Sequence, residues 1–484
     1  MLNSVDFSGR PFHFLGIGGI GMSAIAQILA HRNLPVSGSD LKLSHITERL
    51  EAMGVRVFIG QNAANLSHIS TASLSSNQSE SQLASQPPEN LLPQIVCSTA
   101  ISTTNPEYAA AVALGCPIFH RSDVLAGLIE EYKSISVGGT HGKTTTSSLI
   151  GCVLLEAGLD PTVIVGGEVA AWQGNARAGN GPYLVAEADE SDGSLVKFKS
   201  YVGIVTNIEH DHPDHYSSLE QVIETFETFA RNSEIVIGCI DCPTVAGRIR
   251  PAISYSLNRE SGATYAVDQI DYGPTNTRAR VWERGALLGE VEVSLLGSHN
   301  LSNALAAIAV GRLLGADFKD INRALSIFGG TKRRFEVRGE ANGIRFIDDY
   351  AHHPSELKVT LAAARIQAGD RACPKHRIVA LFQPHRYSRT LAFLPEFAQS
   401  FVEADVVAIT DIYSAGEQNP GHITGQQLVD PILAYQSNVH YCPTMDDVKV
   451  FCKNTLEPGD LVLFLGAGNL NQIIPDAMTL VQQE

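Results

Sequence analysis

Short apolar runs of strand length alternate with longer apolar patterns of helical period along most of the chain. Residues 12–17 and 202–206 are runs of the first kind, whereas residues 22–31, 219–230 and 301–314 repeat apolar side chains at helical spacing. Further strand-like runs occur at residues 183–186, 344–347, 378–382, 406–410 and 461–465. Alternation of this kind predicts parallel sheets covered by helices, so we expect an α/β fold.

Two stretches depart from this pattern. Residues 278–282 and 289–295 alternate polar and apolar side chains, which predicts antiparallel strands somewhere between residues 262 and 296. Residues 67–93 are rich in Ser, Gln, Asn and Pro and hold few apolar side chains. We interpret them as a mobile surface insertion, with a functional loop as the alternative.

The composition excludes several classes of protein. The chain has 35 Lys and Arg against 51 Asp and Glu, a net charge of −16, which argues against a broad nucleic-acid surface and against binding to anionic membranes. It contains no apolar run approaching ~18 residues, and we find no basic segment followed by an apolar one of the kind that forms a signal peptide. The eight cysteines are scattered, which suits reduced thiols. We therefore expect a cytoplasmic protein with neither a nucleic-acid nor a membrane partner.

The most informative motif lies between the apolar residues 134–137 and a helical run at residues 147–157. It reads Gly138-Gly139-Thr140-His141-Gly142-Lys143-Thr144-Thr145-Thr146. A strand that turns through glycines into a helix presents unpaired backbone N–H groups to an anion. Lys143 adds a positive charge for the outer phosphates of a nucleoside triphosphate, and Thr144 adds a hydroxyl suited to Mg²⁺. The alternative is a glycine-rich turn without phosphate, since Val137 stands where the usual pattern has glycine.

A second glycine motif, Gly16-Ile17-Gly18-Gly19-Ile20-Gly21, also follows a strand and opens a helix, with Asp40 about 20 residues on. By itself it would suggest a dinucleotide-binding domain. The physical argument supports only a diphosphate on a helix start, which could belong to NAD or to a nucleotide sugar. A turn that merely packs helix against strand is the third possibility.

Two segments rich in carboxylates follow predicted strands. Residues 187–192 begin with Glu187 and contain four acids, which repel one another unless a cation offsets them. Residues 206–215 interleave acids with histidines, among them His212. Hard oxygen ligands with one supplementary histidine suit Mg²⁺ better than zinc. Solvated polar loops are the alternative for both segments.

Polar and basic candidates follow further along the chain. Asn300 and Asn303 open a helical run, where their amides could pair with a purine edge or simply cap the helix. Arg334 belongs to a short basic run in an otherwise acidic protein. Arg386 and Arg389 present two guanidinium groups after a strand, which suits carboxylate or phosphate oxygens, although solvated surface arginines are the alternative.

In their order and spacing, these motifs resemble those of the Mur ligase family over nearly the whole chain apart from residues 67–93. The segments that carry the resemblance are HFLGIGGIGMSAIA from His13, GGTHGKTTT from Gly138, AEADESD from Ala186, TNIEHDHPD from Thr206, GSHNLSNALAA from Gly297, DDYAHHP from Asp348, QPHRYSRT from Gln383 and FLGAGN from Phe464. The resemblance implies ATP-dependent, Mg²⁺-dependent ligation of L-alanine to the lactyl carboxylate of UDP-N-acetylmuramate through an acyl phosphate.

It also implies three domains. Residues 1–130 would form a Rossmann-like domain for the UDP-sugar, residues 131–331 a central P-loop ATPase-like domain with a mostly parallel sheet, and residues 332–484 a Rossmann-like α/β domain that closes over both.

Residue roles follow from the same resemblance, motif by motif. Gly16, Gly18, Gly19 and Gly21, with Asp40, would receive the UDP-sugar, which favours that ligand over NAD. Gly139, Thr140, His141, Gly142, Lys143, Thr144 and Thr145 would hold the ATP phosphates, with Thr144, Glu187 and His212 as metal ligands. Asn300 and Asn303 would face adenine, Asp349 the ribose and Arg334 the phosphates. His352, Arg386 and Arg389 would lie near L-alanine, and Lys143, Glu187, His212 and Arg334 would carry the catalysis.

Some positions differ from the family pattern. Several relatives use a carbamylated lysine near a second magnesium, but no lysine occurs between Lys199 and Lys319. Ala351 replaces a usual glycine, and Asn469 stands where an acid is common. Three alternatives remain open from the sequence: another amide ligase of this architecture acting on muropeptides or folate, an NAD-dependent oxidoreductase, and a nucleotide-binding regulator without catalysis.

Overall fold

The computed structural model describes residues 4–67, 69, 92–369, 376–421 and 423–482. They form three successive α/β units, each built on its own sheet. The insertion predicted at residues 67–93 lies almost entirely outside the described residues. Within the described ranges, no helix is both long and apolar enough to cross a membrane.

The first unit has a five-stranded sheet in which every neighbouring pair is parallel. Its order is β3-β2-β1-β4-β5. The strands are β1 (Phe12–Leu15), β2 (Val36–Asp40), β3 (Arg56–Ile59), β4 (Gln94–Cys97) and β5 (Ile118–His120). Because β1 and β2 are parallel neighbours, with Leu15 opposite Ser39, the glycine turn after β1 and Asp40 at the end of β2 share one edge.

The second unit has a ten-stranded sheet of order β15-β14-β13-β12-β11-β10-β6-β9-β7-β8. The strands are β6 (Lys133–Gly138), β7 (Thr162–Val169), β8 (Gly174–Arg177), β9 (Tyr183–Glu187), β10 (Val202–Val205), β11 (Ile235–Cys239), β12 (Ile253–Ser256), β13 (Tyr265–Tyr272), β14 (Thr277–Glu283) and β15 (Ala286–Val293). The middle of the sheet is parallel, whereas β13, β14 and β15 form an antiparallel meander. The antiparallel strands predicted between residues 262 and 296 are thus confirmed.

The third unit has a six-stranded sheet of order β16-β17-β21-β18-β19-β20, in which β16 alone runs antiparallel to its neighbour. The strands are β16 (Glu336–Ala341), β17 (Ile344–Asp349), β18 (Ile378–Phe382), β19 (Val406–Ile409), β20 (Val439–Tyr441) and β21 (Leu461–Leu465). The three central strands end together, since Asp349 and Phe382 both lie opposite Leu465.

Helices cover the faces of these sheets. They span Ile20–His31, His45–Ala52, Pro106–Ala113, Arg121–Glu131, Lys143–Glu156, Leu219–Arg231, Ser298–Leu313, Phe318–Ile327, Pro354–Ala368, Tyr387–Ala392, Leu394–Ala398, Gln426–Leu433, Met445–Thr455 and Ile474–Val481. The helix after the phosphate-loop motif begins at Lys143, four residues before the run predicted from apolar spacing. Its first turn, Thr144 to Thr146, is buried polar surface, which apolar periodicity does not detect.

Helix Lys143–Glu156 is buried on nearly all sides, against the sheet and against helix Ser298–Leu313, in the main core of the second unit. A helix fixed in this way holds the loop that precedes it. The first two units also share a core, because helix Ile20–His31 packs against β7 and β8. The buried amide of Asn175 on β8 donates to the Ile20 carbonyl and to Ser23 at 3.1 Å, which ties that helix to the central sheet.

The segments between the sheets support the predicted domain division. The first sheet contains β1 to β5, the second β6 to β15 and the third β16 to β21, so the chain passes from one sheet to the next after β5 and after β15. We propose domains at residues 1–130, 131–331 and 332–484, and refer to them as the N-terminal, central and C-terminal domains.

Candidate active site

Three adjacent parallel strands bring the phosphate-loop motif between the two carboxylate-rich segments. Strand β6 lies between β10 and β9, with Val205 opposite Gly138 and Val137 opposite Glu187. All three strands therefore end at the same edge, where ligands of parallel sheets bind. Segments separated by up to about 70 residues in sequence become neighbours here because parallel strands share their carboxyl ends.

The phosphate loop itself is a tight glycine turn. Gly139 and Gly142 have φ of +142° and +82°, and a Cβ at Gly142 would lie 2.6 Å from Oδ1 of Asn303. Gly142 caps the helix without a side-chain hydrogen bond, so the first-turn N–H groups remain available to an anion. Thr206 Oγ1 donates to the His141 carbonyl at 2.7 Å, and the His141 N–H donates to Asn207 Oδ1 at 2.9 Å. The neighbouring strand end thus fixes the loop backbone.

Lys143 is turned back onto its own loop. Its Nζ donates to the carbonyls of Gly139 at 2.7 Å and Thr140 at 3.1 Å, and lies 2.8 Å from Oε2 of Glu190. Burial opposes the charged ammonium, but Glu190 and the acids beside it outweigh burial and raise the pKa of Lys143. The predicted need of the acid segment for a cation is therefore met in part by Lys143 itself.

The carboxylates after β9 differ in their partners. Glu190 is 1% exposed, and burial raises its pKa to about 7 despite the attraction of Lys143. Asp189 accepts from the Arg121 guanidinium at 3.2 Å; burial opposes its charge, but Lys143 and Arg121 hold its pKa below the usual range. Arg121 comes from the N-terminal domain, so this contact joins two domains beside the phosphate loop.

The three predicted metal ligands lie around this loop. Thr144 Oγ1 donates to Glu187 Oε2 at 2.8 Å, and the same oxygen accepts from the Gly166 N–H at 2.7 Å. His212 Nε2 lies 3.7 Å from Glu190, and burial lowers the His212 pKa to about 4, so its ring nitrogen carries a free lone pair. Its φ of +53° is rare for a non-glycine residue and is typical of functional loops. A hydroxyl, a carboxylate and a neutral imidazole fit a magnesium ion.

A cleft of about 1320 Å³ opens beside the loop, between the central and C-terminal domains. Among the predicted ATP-binding residues, it is lined by His141, Gly142, Thr145, Asn300, Asn303, Arg334 and Asp349. The two asparagines are partly engaged within the protein: Asn300 Nδ2 donates to the Leu296 carbonyl at 2.8 Å, and Asn303 Oδ1 accepts from Thr146 at 3.0 Å. Asn303 thus contacts the first turn of the helix that the loop opens, and both asparagines line the cleft.

Asp349 lies at the far side of the cleft, at the end of β17. Its carboxylate accepts from the backbone N–H groups of Phe335 at 2.7 Å and Ala351 at 2.8 Å, and burial raises its pKa to about 6. Arg334, half-buried, approaches Glu356 at 3.8 Å. Asn469, where an acid is common in the family, exchanges hydrogen bonds with Gln383 at the end of β18.

The two arginines predicted near L-alanine both contact the central domain. Arg389 is 2% exposed and donates through Nε and Nη2 to Asp211 Oδ1, at 2.9 and 2.8 Å, so it is engaged within the protein. Arg386 donates to Asp214 at 3.0 Å and Glu417 at 3.1 Å. Both contacts use Nη1 of Arg386. Within the part of the chain that the structure describes, its Nε and Nη2 are therefore left for a ligand.

Two side chains, Asp40 and Arg121, lie against the glycine turn of the N-terminal domain, and the sequence motif alone does not reveal Arg121. Asp40 Oδ2 accepts from the Gly18 N–H at 2.8 Å, as the shared edge of β1 and β2 requires. A Cβ at Gly21 would lie 3.5 Å from Nη1 of Arg121, so this guanidinium covers the start of helix Ile20–His31. Arg121 therefore reaches both the glycine turn and the acids beside Lys143.

Sequence reasoning missed several residues of this site. Arg121 carried no recognisable signal, because it is the first residue of an ordinary helix. Glu190 and Asp211 lay inside segments already selected for their acids, but nothing distinguished them from their neighbours before Lys143 and Arg389 were seen beside them.

Three sequence models of one family match successive parts of the chain: the Mur ligase family catalytic domain at residues 11–133, the Mur ligase middle domain at residues 137–311, and the Mur ligase glutamate ligase domain at residues 333–468. The chain belongs to the Mur ligase family. The predicted three-domain α/β fold is thereby confirmed.

Its relatives are similar over their full length. A protein of Cyanothece sp. named UDP-N-acetylmuramate–L-alanine ligase is 60% identical over 490 residues, covering 100% of this chain and 97% of the relative. A protein of the same name from Nostoc punctiforme is 61% identical over 479 residues, covering 99% and 98%. The crystal structure of the Thermotoga maritima UDP-N-acetylmuramate-alanine ligase matches with a TM-score of 0.77 and 27% identity over 98% of both chains.

Gly142→Ala should weaken nucleotide binding by the loop. The substitution strains a left-handed backbone, at a cost of about 1–2 kcal/mol, and pushes Cβ against Asn303. Gly158→Ala is the matched control, because Gly158 follows the same helix with φ of +73° and has nothing within 4 Å of its Cβ. Both variants should unfold at lower temperature, but Gly142→Ala alone should lose at least tenfold in ATP affinity by calorimetry. Equal affinities in the two variants would contradict the loop assignment.

Proposed function

We propose that the protein joins L-alanine to the lactyl carboxylate of UDP-N-acetylmuramate, with conversion of ATP to ADP and phosphate. The observation that carries this proposal is the phosphate loop between two carboxylate-rich segments, facing a cleft shared with the C-terminal domain. Full-length identity of about 60% to relatives named for this reaction supports the choice of substrates. The nucleotides point to the cytoplasm as the place of reaction.

The first half-reaction activates the carboxylate. A carboxylate is a poor electrophile, so phosphorylation must precede attack by an amine. The lactyl carboxylate would attack the γ-phosphate in line. Lys143 would exchange its contact with Glu190 for one with the transferring phosphoryl group. Arg334, on the opposite wall of the cleft, would neutralise the same group. Transfer forms the bond from carboxylate oxygen to phosphorus and releases ADP.

A magnesium ion fits the donor set of Thr144, Glu187 and His212. When bound, it would offset charge on the phosphate oxygens. Thr144 and Glu187 are already within hydrogen-bond distance at 2.8 Å, so the side chains need little rearrangement to share an ion. The neutral His212 ring would serve as the supplementary ligand.

The second half-reaction forms the amide. The amine of alanine would attack the acyl carbon, and phosphate would leave from the tetrahedral intermediate. Acyl phosphates hydrolyse readily, so water must be kept out, and closure of the C-terminal domain over the cleft would do this. We place the alanine carboxylate against Arg386 and His352, and assign Arg389 to holding Asp211, the residue directly before His212.

Family membership and full-length identity to relatives named for this reaction argue against the alternatives that the sequence left open. A different amide ligase of the family would share the ATP site but not the substrates. An NAD-dependent oxidoreductase would leave Lys143 and its acids without a role.

One assay tests the proposal directly. Purified protein is incubated with ATP, Mg²⁺ and UDP-N-acetylmuramate, and ADP release is followed with each member of an amino-acid panel and with a muropeptide or folate acceptor. We expect release with UDP-N-acetylmuramate and L-alanine above all others. Lys143→Ala should reduce this rate by at least 10²–10³-fold, since it removes a charge used on the transferring group. Lys453→Ala, an exposed lysine of the C-terminal domain, should not. Activity of Lys143→Ala within tenfold of the parent would exclude this mechanism.

Arg121→Ala should weaken binding of the UDP-sugar in particular. Its guanidinium covers the glycine turn and also binds Asp189, so it is placed to bind an anionic group that extends from one to the other. Loss of a charge-assisted hydrogen bond costs about 1.5–3 kcal/mol, or roughly 10–100-fold in the KM for UDP-N-acetylmuramate. Arg32→Ala, at the other end of helix Ile20–His31, is the control. A defect in the KM for ATP instead would assign Arg121 to the nucleotide.

Arg386→Ala should raise the KM for alanine by roughly 10–100-fold and spare acyl-phosphate formation. A carboxylate away from the reacting atoms binds alike in the ground and transition states, so kcat should change little. Arg386→Lys should recover only part of the loss, because an ammonium does not reproduce the fork. Borohydride trapping without alanine measures the first half-reaction. Arg345→Ala, whose arginine also pairs with a carboxylate but lies on the β16–β17 hairpin, is the control. If Arg386→Ala traps no acyl phosphate, the residue serves the phosphates.

A further inference from the structure

His141, in the phosphate loop, directs its ring away from the phosphate site and into the C-terminal domain. Thr206 and Asn207, which follow β10, hydrogen-bond to the carbonyl and the N–H of His141. The backbone from which the ring extends is therefore held in place. Its Nε2 lies 3.4 Å from Oε2 of Glu209, and its Nδ1 lies 3.4 Å from Oε1 of Glu356. Glu209 belongs to the central domain and Glu356 to the C-terminal domain. One imidazole thus stands between carboxylates of two domains.

The contact extends to the start of helix Pro354–Ala368. The rings of His141 and His353 lie 4.7 Å apart between centroids, and Ser355 Oγ donates to Glu209 Oε2 at 2.6 Å. The two ring nitrogens of His141 and Nε2 of His353 are buried, with no partner that meets hydrogen-bond geometry among the described residues. The carboxylates at 3.4 Å from the two His141 nitrogens are nevertheless within ion-pair distance.

Glu356 connects this contact to residues that we assign to the substrates. Its other oxygen, Oε2, accepts from the His352 N–H at 3.0 Å and lies 3.1 Å from Nδ1 of the His352 ring. Arg334 approaches Oε1, the oxygen that faces His141, at 3.8 Å. His352 is placed near alanine and Arg334 near the phosphates. A displacement of Glu356 relative to His141 would therefore move both groups relative to the phosphate loop.

Two kinds of link fit these groups, a metal ion or a shared proton. The ligand atoms of His141, Glu209 and His353 lie within 4.8 Å of one another, as for a loose metal site. However, His353 Nδ1 accepts from the Ser355 N–H, which in the neutral ring places the proton on Nε2, so neither nitrogen has a lone pair free for a metal. A protonated nitrogen does not bind a metal. The arrangement therefore favours a charged His141 between two carboxylates.

The charges agree with this choice. Burial opposes the imidazolium, but Glu209 and Glu356 outweigh burial and raise the pKa of His141 to about 9. Burial and the charge of His141 lower the pKa of His353 to about 4, so that ring stays neutral. Since the folded pKa of His141 is above its ordinary 6.5, the link is fully present below about pH 6.5 and is lost as the pH rises through about 9.

We propose that His141 is a positioning residue that ties the phosphate loop to the C-terminal domain through Glu209 and Glu356, so that Arg334 meets the γ-phosphate and His352 meets alanine only when this link has formed. The inference rests on the proposed function and adds a coupling to it. ATP bound by the central domain alone would not need the link, whereas phosphoryl transfer in the closed cleft would.

The kinetic test uses the full-length protein and the ADP-release assay. His141→Gln and Glu356→Gln should each lower kcat by roughly 10–100-fold and change the KM for ATP by less than about threefold, because the closed state becomes less populated. The double variant should be no slower than either single variant, since one link is broken in all three. His440→Gln and Glu396→Gln change exposed residues of the C-terminal domain. They are the matched controls and should behave as the parent. Multiplying defects in the double variant, or a loss confined to the KM for ATP, would overturn the proposal.

Two further measurements do not depend on activity. Imidazole NMR titration should show one histidine with a pKa near 9, absent in His141→Gln and shifted down in Glu356→Gln. This result separates the link from the proposed function: if no acceptor supports ADP release but the titration holds, the function fails and the link stands. Calorimetry with Zn²⁺ and nucleotide-free protein decides the chemistry. Stoichiometric binding that is lost in His141→Gln would replace the proton link by a metal site.

Discussion

The active site depends on the parallel pairing of β6 with β9 on one side and β10 on the other. Gly138, Glu187 and Val205 end these strands in register, so the phosphate loop emerges between two acidic segments. The loop is then held from three directions: by Thr206 and Asn207 of the β10 edge, by Asn303 beneath Gly142, and by the buried helix that it opens. A shift in this register would separate Lys143 from Glu190 and Thr144 from Glu187 together.

Charge balance is the second organising feature of the site. A chain of net charge −16 gathers acids around one lysine, and each buried acid that the structure describes here has a cationic or backbone partner. Lys143 neutralises Glu190, Arg121 contacts Asp189, and Arg389 holds Asp211. Breaking a buried pair such as Arg389–Asp211 costs about 3–5 kcal/mol, so these contacts restrict the loops as well as balancing charge. ATP and a divalent ion would enter a site whose countercharges are already arranged.

Contacts between domains converge on the same loops. Arg121 reaches the acids after β9 from the N-terminal domain, and Arg389, Arg386 and Ser355 reach residues 209–214 from the C-terminal domain. The loops that we propose for the phosphates and the metal therefore also contact both neighbouring domains. This arrangement suits a reaction in which three substrates must be brought together and water excluded before the acyl phosphate forms.

The sequence by itself determined the alternation of strands and helices, the family and the glycine loops, because apolar periodicity and glycine spacing are local properties of the chain. The antiparallel meander and most strand positions followed from the same patterns. It misplaced the start of the helix at Lys143, because a first turn of buried threonines has no apolar period. Only the tertiary structure decided the partners. Arg121 beside Gly21, Arg389 on Asp211 and His141 between Glu209 and Glu356 each join residues that are at least 68 positions apart. No local pattern encodes such pairs, since they arise from which strand ends and domains meet.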